Sequence, residues 1–245
     1  MTDPFIIIVP ARAGSTRLPN KPLAMINGCT VISRIIDLAN SSDASHLYIA
    51  TDSNDIKDHC ESCGANIVMT SSDHISGMDR IAEAAKKLDL PFNTPIINLQ
   101  CDEPFMPVQI INQLPMLLST DTPIATACIQ FSNAKDFNSP HEVKVARSIS
   151  KKAMYFSRAV IPNSFTADYK NYLKHLGIYA YTNETLQALS KLKPTANEES
   201  EKLEQLRFLD NGFNIIVEDF EYDAPIGIDT PEDLEAAIIF AKKND

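Results

Sequence analysis

Short apolar runs alternate with amphipathic segments through the first hundred residues. Phe5 to Val9, Leu47 to Ala50, Asn66 to Met69 and Pro95 to Gln100 read as buried strands, which points to a mostly parallel sheet. Between them the spacing predicts helices over Val31 to Ala39, Asn54 to Cys63 and Asp79 to Leu88. In the third, Met78, Ile81, Ala82, Ala85 and Leu88 share one face, which leaves Arg80 to point elsewhere. The second half is less regular. It predicts strands over Ile124 to Ile129, Val143 to Ser148, Leu173 to Tyr181 and Phe213 to Val217, with helices over Val108 to Leu118, Glu184 to Leu192 and Glu199 to Asn211. The last helix, Leu234 to Lys242, is announced by Thr230 as cap, Pro231 at the first helical position and Asp233 closing a capping box. That places Asp229 directly before a helix start. The alternation implies an α/β fold with a wound sheet. No repeat or linker divides the chain, so a single domain over residues 1–245 is expected.

Composition narrows the functional classes. A chain of 245 residues with 44% hydrophobic content supports an ordinary core, and its net charge of -10 argues against nucleic acid as a partner. The apolar run from Phe5 to Pro10 is too short for a signal core or a membrane span and is preceded by Asp3, not a basic segment. This points to a soluble, cytoplasmic protein with no membrane insertion. The odd count of five cysteines fits reduced thiols. Cys60 and Cys63 form a C-x-x-C, but no second pair completes a zinc site, and the motif falls late in a helix where a thiolate gains nothing from the helix dipole.

Against that acidic background, the segment P-A-R-A-G-S-T-R-L-P-N-K, residues 10–21, carries Arg12, Arg17 and Lys21, with Gly14 and Ser15 allowing close backbone approach. It leaves a strand at the sheet edge where ligands of open α/β folds bind, so the three cations suit a triphosphate. It is neither a Walker A loop nor a dinucleotide fingerprint. After the fourth strand, L-Q-C-D-E-P offers Asp102 and Glu103, and G-I-D-T-P-E-D offers Asp229. A carboxylate at that edge is placed to hold Mg²⁺, whose ligands are one or two carboxylates together with substrate phosphates. Each acid read alone also serves as a turn or capping residue.

Taken together, these residues resemble the 3-deoxy-manno-octulosonate cytidylyltransferase family and its nucleotide-diphospho-sugar transferase type of Rossmann-like mixed sheet. The resemblance is carried by I-I-V-P-A-R-A-G-S-T-R-L-P-N-K-P-L (7–23), I-A-T-D (49–52), M-T-S-S-D-H-I-S-G-M-D-R-I-A-E-A (69–84), N-L-Q-C-D-E-P (98–104), Y-F-S-R-A-V-I-P (155–162), K-H-L-G-I-Y-A-Y (174–181), L-E-Q-L-R (203–207) and I-D-T-P-E-D-L (228–234), in that order. It implies transfer of CMP from CTP to the anomeric hydroxyl of 3-deoxy-D-manno-octulosonate (Kdo), giving CMP-Kdo and pyrophosphate for lipopolysaccharide biosynthesis, with Mg²⁺ required. By position, Arg12, Ser15, Arg17 and Lys21 would serve the triphosphate, and Ser76, Gly77 and Arg80 the cytosine and phosphates. Asp102 and Asp229 would hold the metal, and Arg12, Lys21, Asp102 and Asp229 form the catalytic set. Gln100, Arg158, His175, Tyr179, Glu204 and Gln205 would face the sugar. Read without the resemblance, His175 is a structural histidine, Tyr179 a core aromatic, Glu204 and Gln205 helix-surface polars, and Arg80 a solvated helix arginine as readily as a ligand. The resemblance further implies a homodimer and a sugar-binding and dimerisation subregion around 130–185. Three positions depart from the family pattern: Cys101 replaces Gly, Asn20 replaces Gly, and Met78 replaces a small hydroxyl residue. A cytidylyltransferase for a related acid sugar, such as 8-amino-Kdo, and a non-catalytic nucleotide-sugar binding protein remain as alternatives.

Overall fold

The computed structural model describes residues 4–14, 17–74, 76–163 and 169–244, with Lys170 described by its backbone alone. Its contacts gather into two compact units, residues 1–112 with 225–245 and residues 113–224. Neither boundary has the composition of a linker. The first falls at the end of a helix, and the second in a run, D-A-P-I-G, too short to read as one. The single-domain expectation, with its irregular stretch around 130–185, had no signal of either crossing.

The first unit opens with β1 (Ile6–Ala11), whose Ile7, Ile8 and Val9 are fully buried, as a strand covered on both faces requires. A hairpin of β2 (Met25–Ile26) and β3 (Cys29–Thr30) follows, then α1 (Val31–Asn40), β4 (His46–Thr51), α2 (Asn54–Ser62), β5 (Asn66–Met69), α3 (Gly77–Lys87), β6 (Pro95–Asn98) and α4 (Val108–Gln113). β1 pairs in parallel with β4 and with β6, and β4 in parallel with β5, so the order is β6-β1-β4-β5. All four carboxyl ends therefore lie along one edge, and the loops after β1, β4, β5 and β6 share it. The hairpin turns through Asn27 and Gly28, both at positive φ (51° and 89°), the Asn-Gly pair favoured by tight hairpins and unread in the sequence.

The second unit contains β7 (Ile124–Gln130), α5 (Ala134–Asn138), β8 (Lys144–Arg147), β9 (Ala153–Ser157), β10 (Leu173–Thr182), α6 (Asn183–Leu189), α7 (Ala196–Glu201), α8 (Gln205–Asp210) and β11 (Ile215–Asp219). Here β11 runs parallel to β7, while β7 with β10, β10 with β8 and β8 with β9 are antiparallel. The parallel expectation describes the first unit, whereas the second is mixed. Two predicted helices are also shorter than expected. Residues 108–118 stop as an α-helix at Gln113 and continue as a 3-10 turn through Pro115, whose missing N–H cannot extend the helix. Residues 199–211 divide at Lys202, which takes a left-handed conformation (φ 55°).

The chain returns to the first unit with α9 (Pro231–Asn244). The expected cap is present: the Asp233 N–H donates to Thr230 Oγ1, and Asp233 Oδ2 accepts from the N–H groups of Thr230 and Asp229. Asp233 thereby fixes the backbone of Asp229. No helix among the described residues is long and apolar enough to cross a membrane.

Candidate active site

A cavity of about 340 Å³ opens at the carboxyl edge of the first unit's sheet, lined by Arg12, Arg17, Lys21, His74, Arg80 and Asp229 among others. Pro10, Pro22, Ser76, Gly77, Gln100, Cys101 and Asp102 complete its wall. Arg12, Arg17, Lys21, Ser76, Gly77, Arg80, Gln100, Asp102 and Asp229 are thus brought together from four segments of sequence. Ser15 lies outside the described residues.

Lys21 does not point at open solvent. Its Nζ donates to Asp102 Oδ2 at 2.7 Å and to Asp229 Oδ1 at 3.0 Å, and Arg17 Nη2 lies 3.2 Å from Asp229 Oδ2. Burial works against the ammonium, but Asp102 and Asp229 outweigh it and raise the Lys21 pKa. Burial likewise disfavours the Asp229 carboxylate, and Lys21 and Arg17 outweigh it, lowering its pKa. The loop reaches this position because Asn20 adopts a left-handed conformation (φ 54°, ψ 32°), which Asn tolerates better than most residues. Ile228 N–H donates to the Asp102 carbonyl at 2.9 Å, tying the two acidic segments together by their backbones.

Arg80 is only 2% exposed, which removes the solvated helix arginine of its two alternatives. Its Nη1 donates to Thr70 Oγ1 at 2.5 Å and its Nη2 to Asp52 Oδ2 at 3.0 Å. These anchors sit after β5 and β4, so the guanidinium is oriented by two strand ends while it lines the cavity. Ser76 caps α3 by accepting from the Asp79 N–H. A Cβ on Gly77 would come within 3.2 Å of Pro10 Cγ, so glycine lets α3 begin against the end of β1. Gln100, expected at the sugar, lines this same cavity, and its Nε2 donates to Asn98 Oδ1 at 2.9 Å. His74 escaped sequence reading; its Nε2 is hydrogen-bonded to Glu83 Oε2. Its only signal was a histidine two residues before a helix cap with a carboxylate on the helix that follows.

Comparison with known proteins fits this geometry. The cytidylyltransferase family model matches residues 6–220. The 3-deoxy-manno-octulosonate cytidylyltransferase of Polynucleobacter necessarius subsp. necessarius (strain STIR1) is 43% identical, over 94% of this chain and 93% of that protein. The chain belongs to the 3-deoxy-manno-octulosonate cytidylyltransferase family. The enzyme of that name from Francisella tularensis subsp. holarctica (strain LVS) is 41% identical over 94% of this chain and 95% of its own length. A solved structure described as CMP:2-keto-3-deoxy-manno-octonic acid synthetase complexed with CTP superposes with a TM-score of 0.92 at 34% identity. It covers 99% of this chain and 100% of that one.

The remaining sugar-facing positions of the family pattern lie in the second unit. His175 is buried, its Nε2 within 3.0 Å of Thr126 Oγ1, its ring 4.9 Å from Phe156 and 5.5 Å from Tyr179. Burial pushes the imidazole down to about 3, so it is neutral and cannot serve as a cation for a carboxylate. Burial, then Glu204 and Tyr181, raise the Tyr179 pKa well above its ordinary value. Arg158 donates from Nε to the Glu201 carbonyl at 2.8 Å and from Nη1 to the Pro140 carbonyl at 3.0 Å, while Glu201 Oε2 accepts from its backbone N–H. Much of its fork is thus committed to backbone. Gln205 is buried, not a surface polar, and Glu204 lies 3.7 Å from Arg207.

The family departures find room. Met78 is buried in the apolar face of α3 and Cys101 is buried beside Asp102. Burial raises the Cys101 thiol pKa and keeps it protonated, so it offers no thiolate to a metal. Of the C-x-x-C, Cys60 is buried, with its pKa pushed up to about 12 chiefly by that burial, and Cys63 is exposed; both are free thiols.

Proposed function

We propose that this chain transfers CMP from CTP to the anomeric hydroxyl of Kdo, releasing pyrophosphate and giving CMP-Kdo for lipopolysaccharide biosynthesis. The observation that carries this reading is the cavity in which Arg12, Arg17, Lys21 and Arg80 face Asp102 and Asp229. The names of relatives that match nearly the whole chain support it.

Mg²⁺ belongs to the proposal, and the residues fit it. Asp102 and Asp229 contact one ammonium, so they already converge on a point that a cation occupies. They supply hard oxygen donors only, and no group of three or more His, Cys, Asp or Glu forms a fuller cage among the described residues. Two carboxylates leave room for the waters and phosphate oxygens that Mg²⁺ takes. Bound there, the ion would withdraw charge from the phosphates and acidify the sugar hydroxyl. Arg12 and Arg17, both exposed at the mouth, neutralise the triphosphate, and Arg80 is held ready by Asp52 and Thr70. Lys21 leaves the carboxylates for the phosphates when nucleotide is loaded. The sugar oxygen attacks the α-phosphorus in line as the bond to the β-phosphate oxygen breaks, and the hydroxyl proton leaves to solvent. Placement and charge neutralisation supply the catalysis. A homodimer in the cytoplasm is part of the same proposal and rests on the family resemblance.

Pyrophosphate release measured with CTP, Mg²⁺ and a panel of acid sugars tests the reading. Kdo is expected to be the best acceptor, and Asp102→Ala is expected to abolish release while leaving the far-UV dichroism intact. Wild-type rates in that variant would remove Asp102 from the metal site. A better rate with an amino or sialic-type sugar would reassign the acceptor.

A further inference from the structure

We infer that His74, held by Glu83, reads the nucleotide base in this cavity: it accepts a hydrogen bond from the exocyclic amino group of cytosine and disfavours uracil. The inference deepens the cytidylyl-transfer reading and rests on it. His74 is partly buried, with 22% of its side chain exposed, and lines the cavity together with Ser76 and Gly77 at the start of α3. Its Nε2 is bonded to Glu83 Oε2, and the same carboxylate accepts from the Ser71 N–H at 2.9 Å and pairs with Lys87 at 2.8 Å.

Those contacts fix the tautomer. Burial opposes ionisation of Glu83, but Lys87, the Ser71 amide and His74 outweigh it and bring its pKa down to about 2. An ionised carboxylate only accepts, so the imidazole Nε2 carries a proton. The ring's other polar atom, Nδ1, has no partner among the described residues. In the neutral ring with Nε2 protonated, Nδ1 is a bare acceptor.

An acceptor is unusual in this wall. Arg12, Arg17, Lys21 and Arg80 are donors suited to phosphate, and the Asp102 and Asp229 carboxylates are engaged by Lys21. Among the described lining residues, Ser76 Oγ accepts from the Asp79 N–H, and Gln100 Oε1 is a further acceptor, its amide oriented by donating from Nε2 to Asn98 and its oxygen 3.7 Å from the Cβ position of Gly77. Both His74 and Gln100 are therefore held by a neighbour behind them and border the start of α3. Cytosine presents an amino donor where uracil presents a carbonyl oxygen. Against a bare nitrogen the first forms a hydrogen bond and the second sets lone pair against lone pair, the arrangement by which a polar site rejects a near-isostere. Glu83 is then a positioning residue, acting through the imidazole.

The test is titration calorimetry of the full chain in Mg²⁺ with three probes: CTP, UTP and inorganic triphosphate. In His74→Phe, CTP binding is expected to weaken about tenfold, with triphosphate unchanged and UTP unchanged or tighter. His74→Asn, which puts an amide oxygen near the place of Nδ1, is expected to keep most of the discrimination. Glu83→Gln frees the other tautomer, so its CTP-to-UTP ratio is expected to fall by less than that of His74→Phe. His74→Ala serves as the second deletion if thermal melting shows that Phe disturbs the fold. An unchanged ratio in the deletion variants overturns the inference. So does parallel weakening of all three probes, which would make His74 a phosphate cation. A wild type that binds CTP but transfers to no Kdo would sink the acceptor assignment alone; one that binds no CTP would sink both.

Discussion

Lys21 stands where the proposed metal belongs, and this gives a prediction with a counterintuitive sign. Removing a residue of the proposed catalytic set should strengthen metal binding to the nucleotide-free protein. The Lys21 ammonium lies 2.7 Å from Asp102 and 3.0 Å from Asp229, with side-chain exposures of 14%, 31% and 48% for the three residues. A pair this accessible is worth more than a surface salt bridge and less than a buried one, so the net interaction is about 1–2 kcal/mol. A dication entering between the carboxylates must forfeit it, which corresponds to a factor of about five to thirty in affinity. In Lys21→Met that opposition disappears, and of the cations in contact with the two carboxylates Arg17 on Asp229 remains. Free Mn²⁺ is measured by electron paramagnetic resonance, with Asp102→Ala as the control that removes the site. Mn²⁺ is expected to bind Lys21→Met about five- to thirtyfold more tightly than wild type without nucleotide. With CTP present the order reverses, because the variant lacks the cation that moves to the phosphates. The pKa of Lys21 is raised above 10.5, so its part in the latch is complete below that value and is lost only as pH rises through the higher one. The pKa of Asp229 is lowered below 3.8, so its part is complete above that value and is lost only as pH falls through the lower one. The difference between wild type and variant should therefore be flat between about pH 6 and pH 9. Equal or weaker Mn²⁺ binding by Lys21→Met in the absence of nucleotide would refute the latch.

Two further predictions concern groups that the sequence could not place. His175 has its pKa pushed down to about 3 by burial from an ordinary 6.5, so below 6.5 the unfolded chain takes up a proton that the folded one refuses. Stability is then complete above pH 6.5 and is lost as pH falls, by about 2 kcal/mol at pH 5 from this residue. Urea unfolding of wild type and His175→Gln at neutral and at acid pH should show the variant's pH dependence flatter by about that amount, and parallel curves would remove His175 as the cause. Asp52→Ala should lower stability by about 2–3 kcal/mol, because it strands the buried Arg80 guanidinium, and should weaken CTP binding as well. An unchanged melting temperature would show that Thr70 alone suffices to hold Arg80.

In the first unit β1 was the most legible strand, because it is covered on both faces and so appears as an unbroken apolar run. β1 reads I-I-I-V-P-A with a single position short of full burial. The second unit gave weaker signals for physical reasons. β9 was unread because its A-M-Y-F-S places an exposed Met154 between half-buried neighbours, a pattern with no clean alternation. The break at Lys202 was invisible because lysine seldom adopts a left-handed conformation, so nothing in its chemistry marks a helix end. Asn27-Gly28 was a readable hairpin turn, missed because its flanking strands are only two residues long.

For the site, the sequence could supply residue types at a sheet edge but not which partner each would take. Arg12, Arg17, Lys21, Asp102 and Asp229 were found as cations and carboxylates suited to a metal-bound triphosphate, and one cavity receives them all. Lys21 was read as a phosphate ligand and lies on the carboxylates; Arg80, which its spacing alone left as readily solvated as a ligand and the resemblance placed at the nucleotide, is buried against Asp52. Both differences have the same origin. Without nucleotide, cations in a crowded wall pair with the nearest acids, since a buried unpaired charge costs far more than an exchange of partners. On the proposed function, the ion pairs of Lys21 are the resting half of a substitution, in which an incoming triphosphate would take the ammonium and leave Asp102 and Asp229 to Mg²⁺. A site built in this way would hold Asp102 and Asp229 together before nucleotide arrives and release them to a ligand that carries enough negative charge to draw Lys21 away.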